Sequence, residues 1–147
     1  MWVTVRRIEY GSEDYQAELR LRYEVLRKPL GLEFSEEELA LEEGSIHFGA
    51  FEGSELLGCL VLTPLSATEV RMRQVAVAPG RRGEGIGKRL VRAAENFARQ
   101  SGYEWIKLNA RETAVGFYQS LAYEAYGDPF ITITIPHRTM RKRLAET

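Results

Sequence analysis

A change of hydrophobic period near the middle of the chain constrains the fold more than any other feature. Residues 69–79 are rich in β-branched residues and end in proline, which predicts a strand. After a glycine-rich stretch, apolar residues recur at helical spacing from Ile86 to Ala98, and Gly102 ends the predicted helix. Residues 103–110 then predict a second strand, which the crossover helix places parallel to the first. The chain therefore contains one strand–helix–strand unit.

The rest of the chain adds antiparallel strands and further helices. Two apolar runs joined through Gly53 and Ser54 give a hairpin signal. Ser35 and Glu38 have the spacing of a capping box, within a stretch that we expect to be loop with a helical turn. The further predicted strands are residues 3–8, 46–53, 55–65 and a closing β-ribbon that ends in ITITIPHRTMRKRL, and the further predicted helices are residues 13–27 and 113–121. This pattern indicates a mixed α/β fold with a mostly antiparallel sheet.

Composition narrows the class of protein. The chain has 147 residues, 44% of them apolar, which suffices for one core, so residues 1–147 are expected to form a single domain. The net charge of −1 supplies no overall field for nucleic acid or an anionic membrane. The single cysteine, Cys59, lies in an apolar run and indicates a buried residue in a reducing compartment. Because no signal peptide and no long apolar stretch is present, a cytoplasmic protein is expected.

The glycine-rich stretch RRGEGIGKRL, residues 81–90, lies between the predicted strand and helix. Backbone N–H groups at a helix N-terminus lack intrahelical partners, and glycines remove side chains that would block a phosphate. A Walker A loop is excluded because Arg82 and Arg89 occupy its glycine and Ser/Thr places, and the fingerprint G-x-G-x-x-G does not fit either. The pattern R-x-x-G-x-G at Arg82, Gly85 and Gly87 remains, and it predicts a diphosphate site. A glycine-rich turn that only enters a helix is the alternative.

Two stretches resemble one known family. MRQVAVAPGRRGEGIGKRLV resembles the acetyl-CoA-binding signature of the GNAT superfamily of acyl-CoA-dependent N-acyltransferases, and LNARETAVGFYQSLAYEAYG is similar to a later motif of that family. The opening LRYEVLRKPLGL and the closing IPHRTM further resemble a small bacterial branch called ElaA-like or YjcF-like. The resemblance implies a mixed, mostly antiparallel sheet of about six to seven strands with a central splayed parallel pair, and about four helices.

The resemblance also implies a cofactor, acetyl-CoA, and the residues that bind it. Backbone groups near Gln74 to Val77 are expected to pair with the pantetheine arm like an added strand, and one N–H near Val77 to polarise the thioester carbonyl. The N–H groups from Arg82 to Lys88 are expected to hold the pyrophosphate. The implied cofactor-binding residues are Gln74, Val75, Ala76, Val77, Arg81, Arg82, Gly83, Glu84, Gly85, Ile86, Gly87, Lys88, Asn109, Phe117 and Tyr118.

Tyr118 has a second implied role, as the acid that protonates the departing thiolate. Phenol and thiol have pKa values of about 10 and about 8.5, which are close enough for proton transfer between them. Packing of the short helix is the alternative for Tyr118, and a strand-end turn is the alternative for Asn109. One departure lies nearby, because Ala122 stands where the family has glycine. At a left-handed helix C′ position, alanine strains the turn by roughly 1 kcal/mol.

The acceptor side offers several candidates. An alkyl ammonium has a pKa near 10, so a base or a water relay must remove a proton before attack. The candidate bases are Glu69, His47 and His137, among which His137 is favoured because IPHR stands at the rim implied by the resemblance; each also has a structural or solvated alternative. Four arginines could bind a carboxylate or phosphate of the substrate, and His47 is a further candidate for substrate binding. The arginines are Arg22, Arg27, Arg71 and Arg73. The acidic run from Glu36 to Glu43 fits either a polyamine or lysine-rich protein, or a solvated loop.

The predicted function is therefore N-acetyl transfer. An acetyl group moves from acetyl-CoA to a primary amine by direct attack in a ternary complex, and no metal is expected. The acceptor is a small-molecule amine, a lysine or an N-terminal amine, without nucleic acid or membrane partners, and the protein is expected to be a monomer or homodimer. A non-catalytic acyl-CoA sensor or partner-binding module is the alternative, and a P-loop nucleotide hydrolase is a third hypothesis.

Overall fold

The computed structural model describes residues 2–144 and contains seven strands and four α-helices in that part of the chain. The strands pair in the order β1-β2-β3-β4-β5-β7-β6, so the predicted mixed sheet is confirmed. The strands are β1 (Thr4–Ile8), β2 (Ile46–Glu52), β3 (Glu55–Pro64), β4 (Glu69–Val77), β5 (Trp105–Arg111), β6 (Glu124–Thr132) and β7 (Ile135–Arg143), and the helices are α1 (Glu13–Arg22), α2 (Glu36–Ala40), α3 (Ile86–Gln100) and α4 (Val115–Ser120). No helix among the described residues is both long enough and apolar enough to cross a membrane.

The chain divides into two compact units. The first unit comprises Met1–Thr63 with Gln74–Ala94, and the second comprises Pro64–Arg73 with Glu95–Thr147.

In the first unit, β1, β2 and β3 form an antiparallel meander. β1 pairs with β2 from Thr4 to Ile8, and β2 pairs with β3 through the predicted hairpin, whose Gly53 has a φ of 62°. Gly58 of β3 lets the start of α3 approach closely, because a Cβ there would lie 2.9 Å from Leu90 Cδ1 and 3.0 Å from Ile86 Cγ2. The strand face and the helix stripe predicted from hydrophobic period are thus in contact at this glycine.

The first helix is shorter than the predicted 13–27. Ser12 caps its N-terminus by accepting a hydrogen bond from the Tyr15 N–H at 3.2 Å, and α1 ends at Arg22. A wider π-helical turn, Tyr23–Arg27, and a 3₁₀ turn that contains Pro29 continue the chain. Ser35 caps α2 through the Glu38 N–H at 3.1 Å, as the capping-box spacing predicts.

In the second unit, β5 lies between β4 and β7. It is parallel to β4, with register pairs from Glu69 with Trp105 to Arg71 with Lys107, and antiparallel to β7 along its whole length. The two parallel strands therefore pair over their first residues, as expected of a pair that later separates. Side chains alternate between a core face and an outer face, and the residues of these three strand segments that are 3% exposed or less are Val70, Met72, Ile106, Leu108, Ala110 and Met140.

Candidate functional site

The glycine-rich loop of the first unit opens helix α3 with free backbone donors. Gly83 and Gly85 have φ values of 83° and 80°, a conformation that glycine adopts without strain, and a Cβ at either position would meet no atom within 4 Å. The Arg89 N–H donates to the Gly85 carbonyl at 3.1 Å, so the N–H groups of the first turn lie ahead of the first intrahelical bond. This arrangement can hold an anionic group such as a phosphate, so the residues fit the predicted pyrophosphate site.

The cations of this loop differ in their pairing. The guanidinium of Arg81 donates to the Glu84 carboxylate at 3.0 Å and to the Glu52 carboxylate at 3.0 Å. The hydrogen bond from Arg81 also lowers the pKa of Glu52. Arg82 and Lys88 are exposed, and among residues 2–144 they have no carboxylate partner. We infer that Arg81 shapes the loop, whereas Arg82 and Lys88 remain available to an anion.

The end of β4 carries a backbone irregularity. Gln74, the first predicted pantetheine contact, has a φ of 56°, which is unusual for a residue other than glycine. Its carbonyl oxygen accepts the Cys59 S–H, with a sulfur–oxygen distance of 3.7 Å. Burial raises the pKa of the Cys59 thiol, which is fully buried, so this residue is an inert core thiol as the sequence predicts. Beyond Gln74, the Ala78 N–H donates to the Leu57 carbonyl at 2.8 Å and fixes the strand end.

Tyr118 lies on α4 in the second unit with its ring buried. The side chain is 7% exposed and contacts the rings of Phe117 and Tyr123, with centroid distances of 5.0 and 5.8 Å. Burial raises the pKa of Tyr118 to about 12. Within the described part of the chain its hydroxyl has no hydrogen-bond partner, whereas the Tyr123 hydroxyl donates to Glu95 at 2.9 Å. Tyr118 is therefore protonated, and its hydroxyl is available to donate a hydrogen bond or a proton to a ligand.

The exit of α4 shows how Ala122 is accommodated. The Tyr123 N–H donates to the Tyr118 carbonyl and the Ala122 N–H to the Gln119 carbonyl, both at 3.0 Å, which is the Schellman pattern. Ala122 is at C′ with a φ of 72°, so the left-handed geometry anticipated from the family pattern is present with alanine in place of glycine. Asn109 is exposed at the outer face of β5, opposite Thr139 of β7.

The two histidines have different freedom to accept a proton. His137 Nδ1 lies 2.7 Å from the Ile135 carbonyl oxygen, and the ring stacks on Phe130 at 5.5 Å. Because a carbonyl only accepts, Nδ1 carries a hydrogen, and Nε2 has no hydrogen-bond partner among residues 2–144. His47 is 1% exposed, with Nδ1 2.9 Å from Glu18 Oε2 and Nε2 3.1 Å from the Glu42 carbonyl oxygen. Both of its nitrogens face acceptors, so no lone pair remains for catalysis.

A buried charge network surrounds His47 in the first unit. Arg22, which is 0% exposed, donates to Glu18 Oε2 at 2.8 Å and to Glu42 Oε2 at 2.6 Å. The Tyr15 hydroxyl donates to Glu42 Oε1 at 2.9 Å. Burial alone would raise the pKa of Glu42 and lower that of His47, but Arg22 lowers the former and Glu18 raises the latter. Two carboxylates, a guanidinium and His47 balance in charge when the His47 ring is protonated, which its raised pKa favours.

The sequence prediction did not include Glu18 or Glu42 as members of this network. The signal for Glu18 was its i, i+4 spacing to Arg22 on a helix, whereas Glu42 lay in an acidic run that looked solvated. Ligand atoms of Glu18, Glu42 and His47 lie within 4.8 Å of one another, the spacing of a metal site. Arg22 already supplies the cation at both carboxylates, so this cluster is explained by its own charges.

The remaining candidates for binding or deprotonating the acceptor amine differ in whether their charge is paired among residues 2–144. Arg27 forms an ion pair with Glu38 at 3.0 Å and its guanidinium carbon lies 4.6 Å from the centroid of the Phe34 ring, and Lys107 forms an ion pair with Glu69 at 2.8 Å. Arg71 and Arg73, on the outer face of β4, have neither a hydrogen bond nor an ion pair among residues 2–144. Of the arginines predicted to bind substrate, these two are available.

Comparisons with known proteins agree with this geometry. The model of the acetyltransferase (GNAT) family matches residues 9–123. The uncharacterized N-acetyltransferase YitI of Bacillus subtilis (strain 168) is 29% identical over 116 residues, which cover 75% of this chain and 78% of YitI. An acyl-CoA N-acyltransferase from Pseudomonas aeruginosa has a TM-score of 0.83 at 21% identity, covering 96% of this chain and 99% of its own. An aminoglycoside 6′-N-acetyltransferase complexed with coenzyme A has a TM-score of 0.82 at 19% identity, covering 98% of both chains.

Proposed function

The chain belongs to the acetyltransferase (GNAT) family and is an acyl-CoA-dependent N-acetyltransferase, and from this premise we propose that it transfers an acetyl group from acetyl-CoA to a primary amine in a ternary complex. The observation that carries the proposal is the glycine-rich loop of the first unit. Its first-turn N–H groups, two left-handed glycines and the free cations Arg82 and Lys88 suit the pyrophosphate of CoA. The assignment to the ElaA-like or YjcF-like branch stays a prediction.

The residues of the chain have distinct roles in this proposal. When bound, acetyl-CoA supplies a thioester whose carbonyl carbon the amine nitrogen attacks, so that a C–N bond forms and the C–S bond breaks. Backbone groups of Gln74–Val77 hold the pantetheine arm, and an N–H near Val77 donates to the carbonyl oxygen as negative charge develops there. Asn109 and Phe117 contribute further cofactor contacts. The strained backbone at Gln74 supports this role, because such conformations concentrate at ligand-binding segments.

Three proton transfers complete the proposed reaction. His137 accepts a proton from the incoming ammonium at Nε2, directly or through water, because its Nδ1 hydrogen is fixed on the Ile135 carbonyl. Tyr118 donates its hydroxyl hydrogen to the departing sulfur and regains a hydrogen from the positively charged nitrogen that has just been acylated. Burial holds the pKa of Tyr118 at about 12, so the phenol is protonated before each turnover. Glu69 is not assigned as the base because Lys107 binds its carboxylate.

Tyr118→Phe tests the proposed chemistry. Thiol release from acetyl-CoA is measured with a panel of primary amines, and mass spectrometry identifies the acetylated amine. Loss of the hydroxyl is expected to lower kcat about 10²- to 10⁴-fold while the Kd for CoA is unchanged, because the ring contacts remain. Tyr103→Phe, which removes a hydroxyl from a partly buried tyrosine without an assigned role, is the matched control and is expected to keep full activity.

Each alternative gives a different result in this experiment. Full activity of the Tyr118→Phe variant would contradict the role of Tyr118 and leave acetyl transfer intact. Binding of CoA without thiol release by the unaltered protein, across the whole panel, would support a non-catalytic acyl-CoA sensor instead. The acidic run offers no independent support for a polyamine acceptor, since Glu42 is buried against Arg22 and Glu38 is paired with Arg27.

A further inference from the structure

The outer face of the sheet in the second unit is strongly basic. Register pairs place Arg71 of β4 beside Lys107 of β5, and Lys107 beside Arg141 of β7. Because strand side chains alternate, residues two positions along share this face. The cationic residues of this basic face are Arg71, Arg73, Lys107, Arg111, Arg141 and Arg143, and its acidic residues at the same registers are Glu69 and Glu124.

Two of these cations are neutralised within the second unit. The Lys107 ammonium lies 2.8 Å from the Glu69 carboxylate, which raises the pKa of Lys107. The Arg141 guanidinium lies 3.1 Å from the Glu124 carboxylate and 4.3 Å from the centroid of the Tyr126 ring. These contacts leave the carboxylates of the face already occupied.

Arg71 and Arg73 have no such compensation. Both side chains are partly buried, and neither has an ion pair or hydrogen bond among residues 2–144. The pKa of Arg71 is lowered, first by burial and then by the charge of Arg73. Two like charges on one strand face, partly removed from water, cost free energy that no contact among residues 2–144 offsets. An anion that binds between them would relieve both the desolvation and the repulsion.

We propose that the acceptor amine carries a second group, a carboxylate or a phosphate, which Arg71 and Arg73 bind. This inference rests on the proposed acetyl transfer, because Arg73 directly precedes the Gln74–Val77 segment assigned to the pantetheine arm. Guanidinium groups present planar, paired donors that match both kinds of anion. Neither a simple amine nor a polyamine carries a negative charge that could offset these two guanidinium groups. The substrate class is therefore an amine that also carries an anionic group, such as an amino acid or an aminoalkyl phosphate.

Matched acceptor pairs test the substrate class. Tyrosine against tyramine differs by a carboxylate, and O-phosphoethanolamine against ethanolamine differs by a phosphate. Initial rates of thiol release are measured for the unaltered protein and for the variants Arg71→Gln and Arg73→Gln. We expect the anionic member of at least one pair to have a kcat/KM at least about tenfold higher, and each variant to raise its KM at least about tenfold, because each removes a charge-assisted contact. The pair that shows the preference identifies carboxylate or phosphate.

Controls separate this proposal from the proposed function. Arg20→Gln removes a cation from an exposed position on α1 and is expected to leave every KM unchanged. Equal rates for both members of both pairs, or variants that raise the KM of acetyl-CoA for all amines, would overturn the anionic-acceptor proposal while acetyl transfer stands. If no amine is acetylated, the proposed function fails. Calorimetric titration of the four amines into the CoA-bound protein then tests the anionic-acceptor proposal independently. Tighter binding of an anionic member that Arg71→Gln abolishes supports it, and equal binding overturns it.

Discussion

Arg22 in the first unit and Arg71 in the second carry the same guanidinium in opposite settings. Arg22 is fully buried and bonded to two carboxylates, and it belongs to a network whose charges balance. Arg71 is partly buried, has no anionic partner among residues 2–144, and faces the charge of Arg73. Paired charges of the first kind hold elements together. We expect unpaired charges of the second kind to lower stability in the free protein unless a ligand supplies the missing anion.

The histidines repeat this contrast. Both nitrogens of His47 lie against acceptors, so its proton contributes to structure. One nitrogen of His137 is held by a carbonyl, and the other has no partner in the described part of the chain. A group whose hydrogen-bonding capacity is filled serves the fold, and one with capacity left over suits chemistry on a substrate.

Removal of Arg22 is expected to give the largest effect. Arg22→Met leaves two buried carboxylates with only His47 to balance them, and should lower the free energy of unfolding by about 3–5 kcal/mol. Urea unfolding at neutral pH measures this loss. Arg71→Met, the matched change on the basic face, is expected to stay within about 0.5 kcal/mol of the unaltered protein. Similar losses of unfolding free energy for Arg22→Met and Arg71→Met would contradict the contrast between the two arginines.

The pH dependence of His47 is expected to give a smaller effect. The pKa of His47 is raised in the folded state, so its stabilisation is complete below its unfolded pKa of about 6.5 and is lost as pH rises through the folded value. The advantage in unfolding free energy of the unaltered protein over His47→Gln should therefore shrink, by on the order of 1 kcal/mol, as pH rises above about 6.5.

Urea unfolding of both proteins from about pH 6 upward measures this difference. The range stays clear of Glu42, whose lowered pKa makes its own contribution disappear only as pH falls through the folded value, below its ordinary value of about 4.3. Tyr15, Glu18, Arg22 and Glu42 are the charged or titratable groups around His47, and none has an ordinary pKa between about 6.5 and 9. A difference that stays flat or grows with pH would show that His47 is neutral in the fold.

Ala122→Gly is expected to give the smallest change in the free energy of unfolding. It also tests whether small changes in the stability of the second unit can be measured. Glycine adopts the observed φ of 72° without strain, so the variant should gain about 0.5 kcal/mol after the entropy cost of glycine. The measurement is the same urea unfolding experiment, and it shows that small stability changes in this unit are detectable. A loss of stability would mean that the turn holds alanine without strain.

Much of the fold could be predicted because its signals are local. The change of hydrophobic period from β4 to α3 predicted the crossover. Gly53 predicted the hairpin, and the spacing of Ser35 and Glu38 predicted the cap of α2. The end of α1 was placed too late because Tyr23–Arg27 keeps helical spacing while its hydrogen bonds widen to a π-turn. Such a change depends on backbone geometry that the side-chain pattern does not record.

The site was only partly predictable for a similar reason. The loop motif is contiguous, so Arg82, Gly85 and Gly87 could be predicted from their spacing, whereas the pairing of Arg81 with Glu52 could not. The role of Arg22 depended on Glu42, which is 20 residues away in sequence and lies in an acidic run. Four arginines looked alike as substrate ligands, and their partners separated Arg22 and Arg27 from Arg71 and Arg73. Pairing of charges across the fold cannot be read from composition or period.

The most direct test is the unfolding free energy of the double variant Arg71→Gln/Arg73→Gln without ligand. If these arginines are held unpaired for a substrate anion, the double variant should be as stable as the unaltered protein, or more stable by up to about 0.5 kcal/mol, because a like-charge repulsion is removed. A loss of more than about 1 kcal/mol would contradict the account, since it would show that the two guanidinium groups already stabilise the fold.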